Sequence, residues 1–248
     1  MDARFYAVAY EKGFDDEPLP VWTDRPCTVD PFDLSGHKVI RLNIPEVPGA
    51  FQLLNVLSTE EADNMVRLAE ELGFGEDSPV SLPHRIRHNK NVNWVVSERI
   101  DGTLWQRSKS LVTEEIRGES AKGINARFRF YRYDTGDFFK PHSDGAWPGS
   151  RVVNGELVAD AYPGRVSQYT YLIFLNDGYE GGRTQFLVSR SNPCRPATHE
   201  GDVNVVSIST PKGAVLCFPH GFHPLHCTHS SESIRSGVKY VIRTDILF

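Results

Sequence analysis

The strongest periodic signal in the chain runs from Ser58 to Gly75. Ala62, Met65, Val66, Ala69 and Leu72 recur at the spacing of a helix with one apolar face. Ser58-Thr59-Glu60-Glu61 is a capping box, with Ser58 as N-cap and Glu61 at the third helical position. Gly73 or Gly75 ends the run. A second helix is expected over residues 101–116, with Leu104, Trp105, Leu111 and Val112 facing inward. Elsewhere the pattern is of short apolar or alternating runs, most of them broken by Gly or Pro. These predict strands over residues 4–10, 39–44, 51–57, 126–133, 168–175, 184–188, 203–209, 214–218 and 238–248. Glu17-Pro18-Leu19-Pro20 and Arg25-Pro26 read as loop. Many short strands after two helices imply a mainly β fold with flanking helices, a sandwich or barrel of which the jelly roll is one form. The expected organisation is an N-terminal region, 1–124, of strands and buttressing helices packed on a β core, 125–248.

Two longer segments interrupt the strands. Residues 145–167 carry Asn154-Gly155 between apolar neighbours, which predicts a small hairpin. Residues 189–202 are a polar loop. The basic stretch His84–Asn91 reads equally as a solvated edge and as one wall of a cleft.

Composition narrows the picture little. The chain has 248 residues and a formal net charge of -5, which gives no reason to expect nucleic acid as a partner. No apolar run is long enough to cross a membrane, and the first residues lack the pattern of a signal peptide. The four cysteines, Cys27, Cys194, Cys217 and Cys227, have no paired spacing. Free thiols and a cytoplasmic location are expected.

The chemistry centres on Phe138-Phe139-Lys140-Pro141-His142-Ser143-Asp144-Gly145. On a strand His142 and Asp144 point to one side, where an imidazole and a carboxylate offer a mixed donor set for a divalent first-row metal. Taken alone, His-x-Asp is more often a hydrogen-bonded pair than a metal site. Four histidines, His220, His223, His226 and His229, fall within ten residues near the C-terminus and could supply a third ligand. Lys239 sits between apolar neighbours in the last predicted strand, where it either faces water or faces inward and needs an anion.

Three segments together carry a family resemblance: Tyr133–Asp144; Tyr171–Asp177 with Glu180-Gly181-Gly182-Arg183-Thr184-Gln185-Phe186; and His229 through Lys239 to Asp245. Over residues 125–248, in this order, the chain resembles the prolyl 4-hydroxylase-type 2-oxoglutarate- and Fe(II)-dependent dioxygenases. The resemblance implies a double-stranded β-helix (jelly roll) core. It implies an iron site of His142, Asp144 and a distal histidine, with a basic residue ten positions beyond that histidine. This spacing pairs His229 with Lys239, and His226 is the alternative ligand. The implied cofactors are Fe(II), 2-oxoglutarate as cosubstrate and O2, with ascorbate as an accessory. Lys239 is expected to bind the far carboxylate of 2-oxoglutarate, with Arg243 on the same strand face as the alternative and Tyr133 as a hydrogen-bonding partner.

The implied reaction is hydroxylation of an unactivated C–H bond with release of succinate and CO2. A prolyl residue in a peptide or protein is the first expected substrate. A free amino acid or other small molecule is the alternative. Trp147, Arg151, Tyr162 and Arg165 are expected at the mouth of the site, on the insert that follows Asp144. A zinc- or manganese-dependent cupin-like enzyme could use the same triad, but it would need no dicarboxylate anchor at Lys239. A non-catalytic binding jelly roll would need no triad.

Overall fold

The computed structural model describes residues 3–13, 17–33, 36–76 and 83–248. Two sheets face each other. The larger has ten strands, with the spatial order Phe5–Lys12, Pro18–Asp24, Lys90–Val95, Arg127–Tyr133, Lys239–Leu247, Ser167–Phe174, Val215–Pro219, Phe51–Leu54 and Ile40–Asn43; the short Gly123–Ile124 also pairs with Lys239–Leu247. The smaller runs Val203–Ile208, Thr184–Ser189, His229–Ser231, Phe138–His142 and Arg87–His88. Neighbouring strands are antiparallel except Pro18–Asp24 against Lys90–Val95. Strands from the first half thus extend the large sheet at both ends, joining Arg127–Tyr133 on one side and Val215–Pro219 on the other.

The alternation of side chains along each strand sorts the large sheet into two faces. Phe128, Phe130 and Ile242 belong to one apolar core with Met65, Leu68, Ala69, Ile100 and Leu104 of the helices. Tyr131, Tyr133 and Val241, one residue out of phase, belong to a second core with Phe139, Phe186 and Phe218 between the sheets. Burial of Met65 or Leu68 contributes about 1.5–3 kcal/mol each.

Helix α1 spans Thr59–Leu72. Ser58 Oγ accepts from the Glu61 N–H, Glu61 accepts from the Ser58 N–H, and Gly73 ends the helix, as the sequence predicts. Glu61 is also held by Arg107 of helix α2 (Glu98–Ser108), at 2.7 and 3.0 Å. Burial opposes its charge, but Arg107 and two backbone N–H groups outweigh it and lower its pKa.

The second helix differs from expectation. It spans Glu98–Ser108, and Leu111 and Val112 follow in a turn whose N–H groups bond to Ser108. The proline-marked loop at Glu17–Pro20 is instead the start of the strand Pro18–Asp24. Proline is tolerated there because only Val21, Trp22 and Thr23 pair with Lys90–Val95. Pro18 and Pro20 pair only with Phe5–Lys12, so their missing N–H groups break no ladder on the other side. The strand Lys90–Val95 was concealed by Asn91 and Asn93, which lie opposite Tyr131 and Arg129. The Asn154-Gly155 hairpin forms, with both residues at positive φ (52° and 84°). All four cysteines are free, and no helix among the described residues is long and apolar enough to cross a membrane.

Candidate active site

His142 ends the strand Phe138–His142, and His229 begins the neighbouring strand His229–Ser231, where the two residues are register partners. Asp144 lies just beyond. The ligand atoms of His142, Asp144 and His229 lie within 4.8 Å of one another. Asp144 stands between the imidazoles: Oδ1 is 3.8 Å from His142 Nε2 and Oδ2 is 3.6 Å from His229 Nε2. Both Nδ1 atoms face backbone carbonyls, His142 toward Lys140 O at 2.8 Å and His229 toward Cys227 O at 3.3 Å. This leaves each Nε2 lone pair free to bind a metal.

The charges suit such a site. Burial, then the neighbouring His229, pushes His142 down to about 3, and burial lowers His229 as well. Both imidazoles are therefore neutral. Burial opposes charge on Asp144, yet Arg243 and the two histidines hold it well below the usual carboxylate range. Two neutral imidazoles and one carboxylate on one side of a site form the donor set of a non-haem Fe(II) facial triad. These residues fit the metal that the sequence implies.

A hydrogen-bond chain fixes Asp144. Thr170 Oγ1 donates to Asp144 Oδ2 at 2.8 Å and meets His220 Nδ1 at 2.8 Å. His220 Nε2 meets Ser167 Oγ at 2.9 Å, which accepts from the Trp147 N–H at 2.9 Å. Gly221 N–H donates to Asp144 O; a Cβ at Gly221 would lie 2.7 Å from Ala146 Cβ, so only glycine permits this approach. His220 is thus a buried support of the aspartate and not a ligand. His226 is exposed and bonds to His223 O.

Lys239 lies across from Tyr133 on the large sheet, 2% exposed. Its Nζ donates to Gly182 O at 2.6 Å and Ser231 Oγ at 3.2 Å, between the rings of Phe174 and Tyr133. Among the described residues no carboxylate forms an ion pair with it. Burial pushes its pKa down to about 7. Gly182 makes the contact possible: a Cβ there would lie 2.5 Å from Ile234 Cδ1 and 3.2 Å from Lys239 Cδ. Tyr133 is buried, and burial raises its pKa, so its hydroxyl stays a donor. Lys239, Tyr133 and the triad line one cavity of about 240 Å³.

Arg243 also lines this cavity, but its Nε lies 3.3 Å from Asp144 Oδ2 and its Nη2 donates to Asp245 Oδ1 at 3.0 Å. It holds the aspartate rather than the Lys239 end.

Of the four residues expected at the mouth, Trp147 lines the cavity and the other three do not. Arg151 makes a two-pronged bond to Asp101 of α2 at 2.9 and 2.6 Å, and its Nε donates to Tyr162 Oη. Arg165 is exposed over the Tyr162 ring. The correction has a simple cause. Asp101 is buried and needs a cation; burial still pushes it up to about 6 despite Arg151. The hairpin is thereby clamped to the helix. Arg151→Ala is expected to lower stability by about 1–3 kcal/mol, measured by urea unfolding.

The residues that sequence reasoning passed over are Arg129 and Thr170, both of which line the cavity; Arg87, from the basic stretch read equally as a solvated edge and as a cleft wall, lines it too. Arg129 was detectable: in Arg127–Tyr133 it stands four residues from Tyr133, on the same face.

No protein-family model matches the chain, and no curated protein matches it. Solved structures do. A viral collagen prolyl hydroxylase from Paramecium Bursaria Chlorella virus-1, in a 2OG complex, aligns at TM-score 0.52 and 15% identity, covering 83% of this chain and 99% of its own. A prolyl hydroxylase from Trichoplax adhaerens, bound to a hypoxia inducible factor peptide fragment, aligns at 0.53 and 18%, covering 80% and 83%. A non-heme alpha ketoglutarate dependent epimerase from nogalamycin biosynthesis aligns at 0.50 and 14%, covering 81% and 78%. The fold is that of the 2OG-Fe(II) oxygenases. Within this oxygenase fold the His-Asp-His cluster and the buried lysine sit between the two sheets, on the faces that the second core lines.

Proposed function

We propose that the protein is an Fe(II)- and 2-oxoglutarate-dependent dioxygenase that hydroxylates an unactivated C–H bond, with a prolyl ring as the first candidate substrate. The observation that carries this reading is Lys239. A cation buried without a carboxylate is costly unless a ligand brings one. A zinc or manganese enzyme using only the triad gives no reason for it.

In this reading His142, Asp144 and His229 hold the iron. Lys239 receives the far carboxylate of 2-oxoglutarate, and Tyr133 lies beside it. When bound, iron and cosubstrate supply the oxidising power that a C–H bond requires, with succinate and CO2 as products. The chain's own residues position and exclude. Arg243 and Thr170 orient the Asp144 carboxylate, and the apolar walls of Phe139, Leu172, Phe218 and Val241 limit water around the site. The prolyl candidate is supported by the sequence resemblance and by the prolyl hydroxylases among the structural neighbours. Ascorbate is proposed only as a reductant added to keep the metal ferrous.

The test is succinate formation from 2-oxoglutarate that requires both Fe(II) and the triad. Succinate formed without iron, or no binding of 2-oxoglutarate, would reject the reading. A pH dependence follows from Lys239. With its pKa lowered to about 7, the free protein carries a charged lysine below pH 7 and a neutral one above. A bound carboxylate raises that pKa again, so binding above pH 7 must take up a proton. The dissociation constant of 2-oxoglutarate should be flat below pH 7 and rise by about tenfold per pH unit above it. Calorimetry in buffers of different ionisation enthalpy should show that uptake.

A further inference from the structure

The large sheet places cations at two separate ends of the cavity. Tyr133 pairs with Lys239, Tyr131 with Val241, and Arg129 with Arg243. Four residues of strand separate Lys239 from Arg243, about 13 Å at roughly 3.3 Å per residue. Lys239 Nζ lies at Gly182 and Ser231, whereas Arg243 Nε lies against Asp144 of the triad, so a cosubstrate whose far carboxylate meets Lys239 does not offer that same carboxylate to Arg129.

At this end two arginines stand directly opposite each other on one buried face. Like charges in that relation destabilise a sheet. One carboxylate serves both, unequally: Asp245 Oδ1 bonds to Arg243, while Asp245 Oδ2 is 3.6 Å from Arg129 Nη1, beyond hydrogen-bond distance. Arg243 has Asp144 as a second ion-pair partner at 3.3 Å, although its Nε too makes no hydrogen bond. Arg129 is 7% exposed, and its Nη1 is buried without a hydrogen-bond acceptor. Trp147 lies over it, with the guanidinium carbon 5.5 Å from the ring centroid. The indole Nε1 is likewise buried and unpartnered. Both side chains line the cavity, where four cationic residues accompany a single carboxylate. Two unmet N–H donors, one of them charged, in a positive and largely apolar cavity define a receptor for a carboxylate.

We infer that Arg129 and Trp147 form a carboxylate-binding subsite for the primary substrate, which is therefore a free carboxylic acid: a free amino acid, or the C-terminal residue of a peptide. This inference rests on the proposed oxygenase activity and names the substrate class for it. The acid would be gripped on the Arg243 side of the metal, with cosubstrate running toward Lys239. An internal prolyl residue of a long chain has no such group to offer.

The experiment is calorimetry without oxygen on the full chain loaded with Mn(II) and 2-oxoglutarate. The probes are the common amino acids, small carboxylic acids and a peptide ending in proline, each against its primary amide, together with a peptide whose proline is internal. At least one acid should bind, about 10- to 100-fold more tightly than its amide. Arg129→Gln should bring the acid down to the level of the amide, and Trp147→Phe should weaken it by less. The comparison of acid with amide uses the unaltered protein, so it stands even if a variant fails to fold. Free amino acid and C-terminal peptide are told apart by which of them binds. Equal binding of acids and amides, binding of the internal prolyl peptide alone, or no binding by any acid would overturn the subsite. Loss of 2-oxoglutarate affinity in Arg129→Gln would reassign the arginine to the cosubstrate. Failure of the unaltered protein to bind 2-oxoglutarate would reject the oxygenase reading itself.

Discussion

Replacing Lys239 with alanine is expected to raise the 2-oxoglutarate concentration for half-maximal turnover by two orders of magnitude or more. Removing one partner of a buried ion pair costs about 3–5 kcal/mol, because the remaining charge is left unpaired. In this protein the remaining charge would be the cosubstrate's far carboxylate. Metal affinity measured without cosubstrate should stay the same, since Nζ bonds to Gly182 and Ser231 and to no ligand. Fold stability should not fall in proportion either, because the free protein then loses a buried cation that has no carboxylate partner. Binding titrations of 2-oxoglutarate and thermal unfolding separate the two effects. A variant that unfolds readily but keeps its cosubstrate affinity would make Lys239 a structural residue and return the anchoring role to Arg243.

His229→Ala should abolish turnover and weaken metal binding well beyond the roughly 10–100-fold that follows loss of an outer hydrogen-bond partner. Thr170→Val supplies that smaller reference value, since it removes the hydroxyl donor to Asp144 Oδ2 and leaves all three ligands in place. His142→Ala and Asp144→Ala should behave like His229→Ala. His226→Ala should behave like the unaltered protein, because His226 is exposed and its Nδ1 is bonded to the backbone. Competition with a coloured chelator would measure each affinity. Metal binding lost in His226→Ala and kept in His229→Ala would exchange the two assignments.

What could be read before the fold was known followed from short-range physics. The capping box, the apolar stripe of α1 and the Asn-Gly hairpin are each decided within a few residues, and all three are present. The second helix was overextended because Leu111 and Val112 fit its apolar face, although the chain already turns after Ser108. The strand holding Asn91 and Asn93 was hidden because polar residues on the cavity-side face imitate a loop. In the site, the triad and the buried lysine come together because their spacing reflects strands that return to one core. The role of the hairpin could not be read in the same way. Arg151 looks like a substrate contact until its partner is known, and that partner, Asp101, is set by how the insert packs on α2. Arg129 shares a strand face with Tyr133 and could be placed from that spacing, but its position opposite Arg243 needed the cross-strand register.

The way the first half of the chain joins the large sheet bears on cooperativity. Lys90–Val95 is paired along six residues of Arg127–Tyr133, and Phe51–Leu54 along three residues of Val215–Pro219. Removing the first half would bare one edge of Arg127–Tyr133, the strand that carries Arg129 and Tyr133, and one edge of Val215–Pro219, and would uncover Phe128 and Phe130. Open edges of that kind recruit other chains. The site and its flanking strands are therefore expected to unfold as one unit: in hydrogen exchange, amide protons beside Lys239 should exchange no faster than those of Val92 and Trp94, and a ligand that stabilises one end should protect the other.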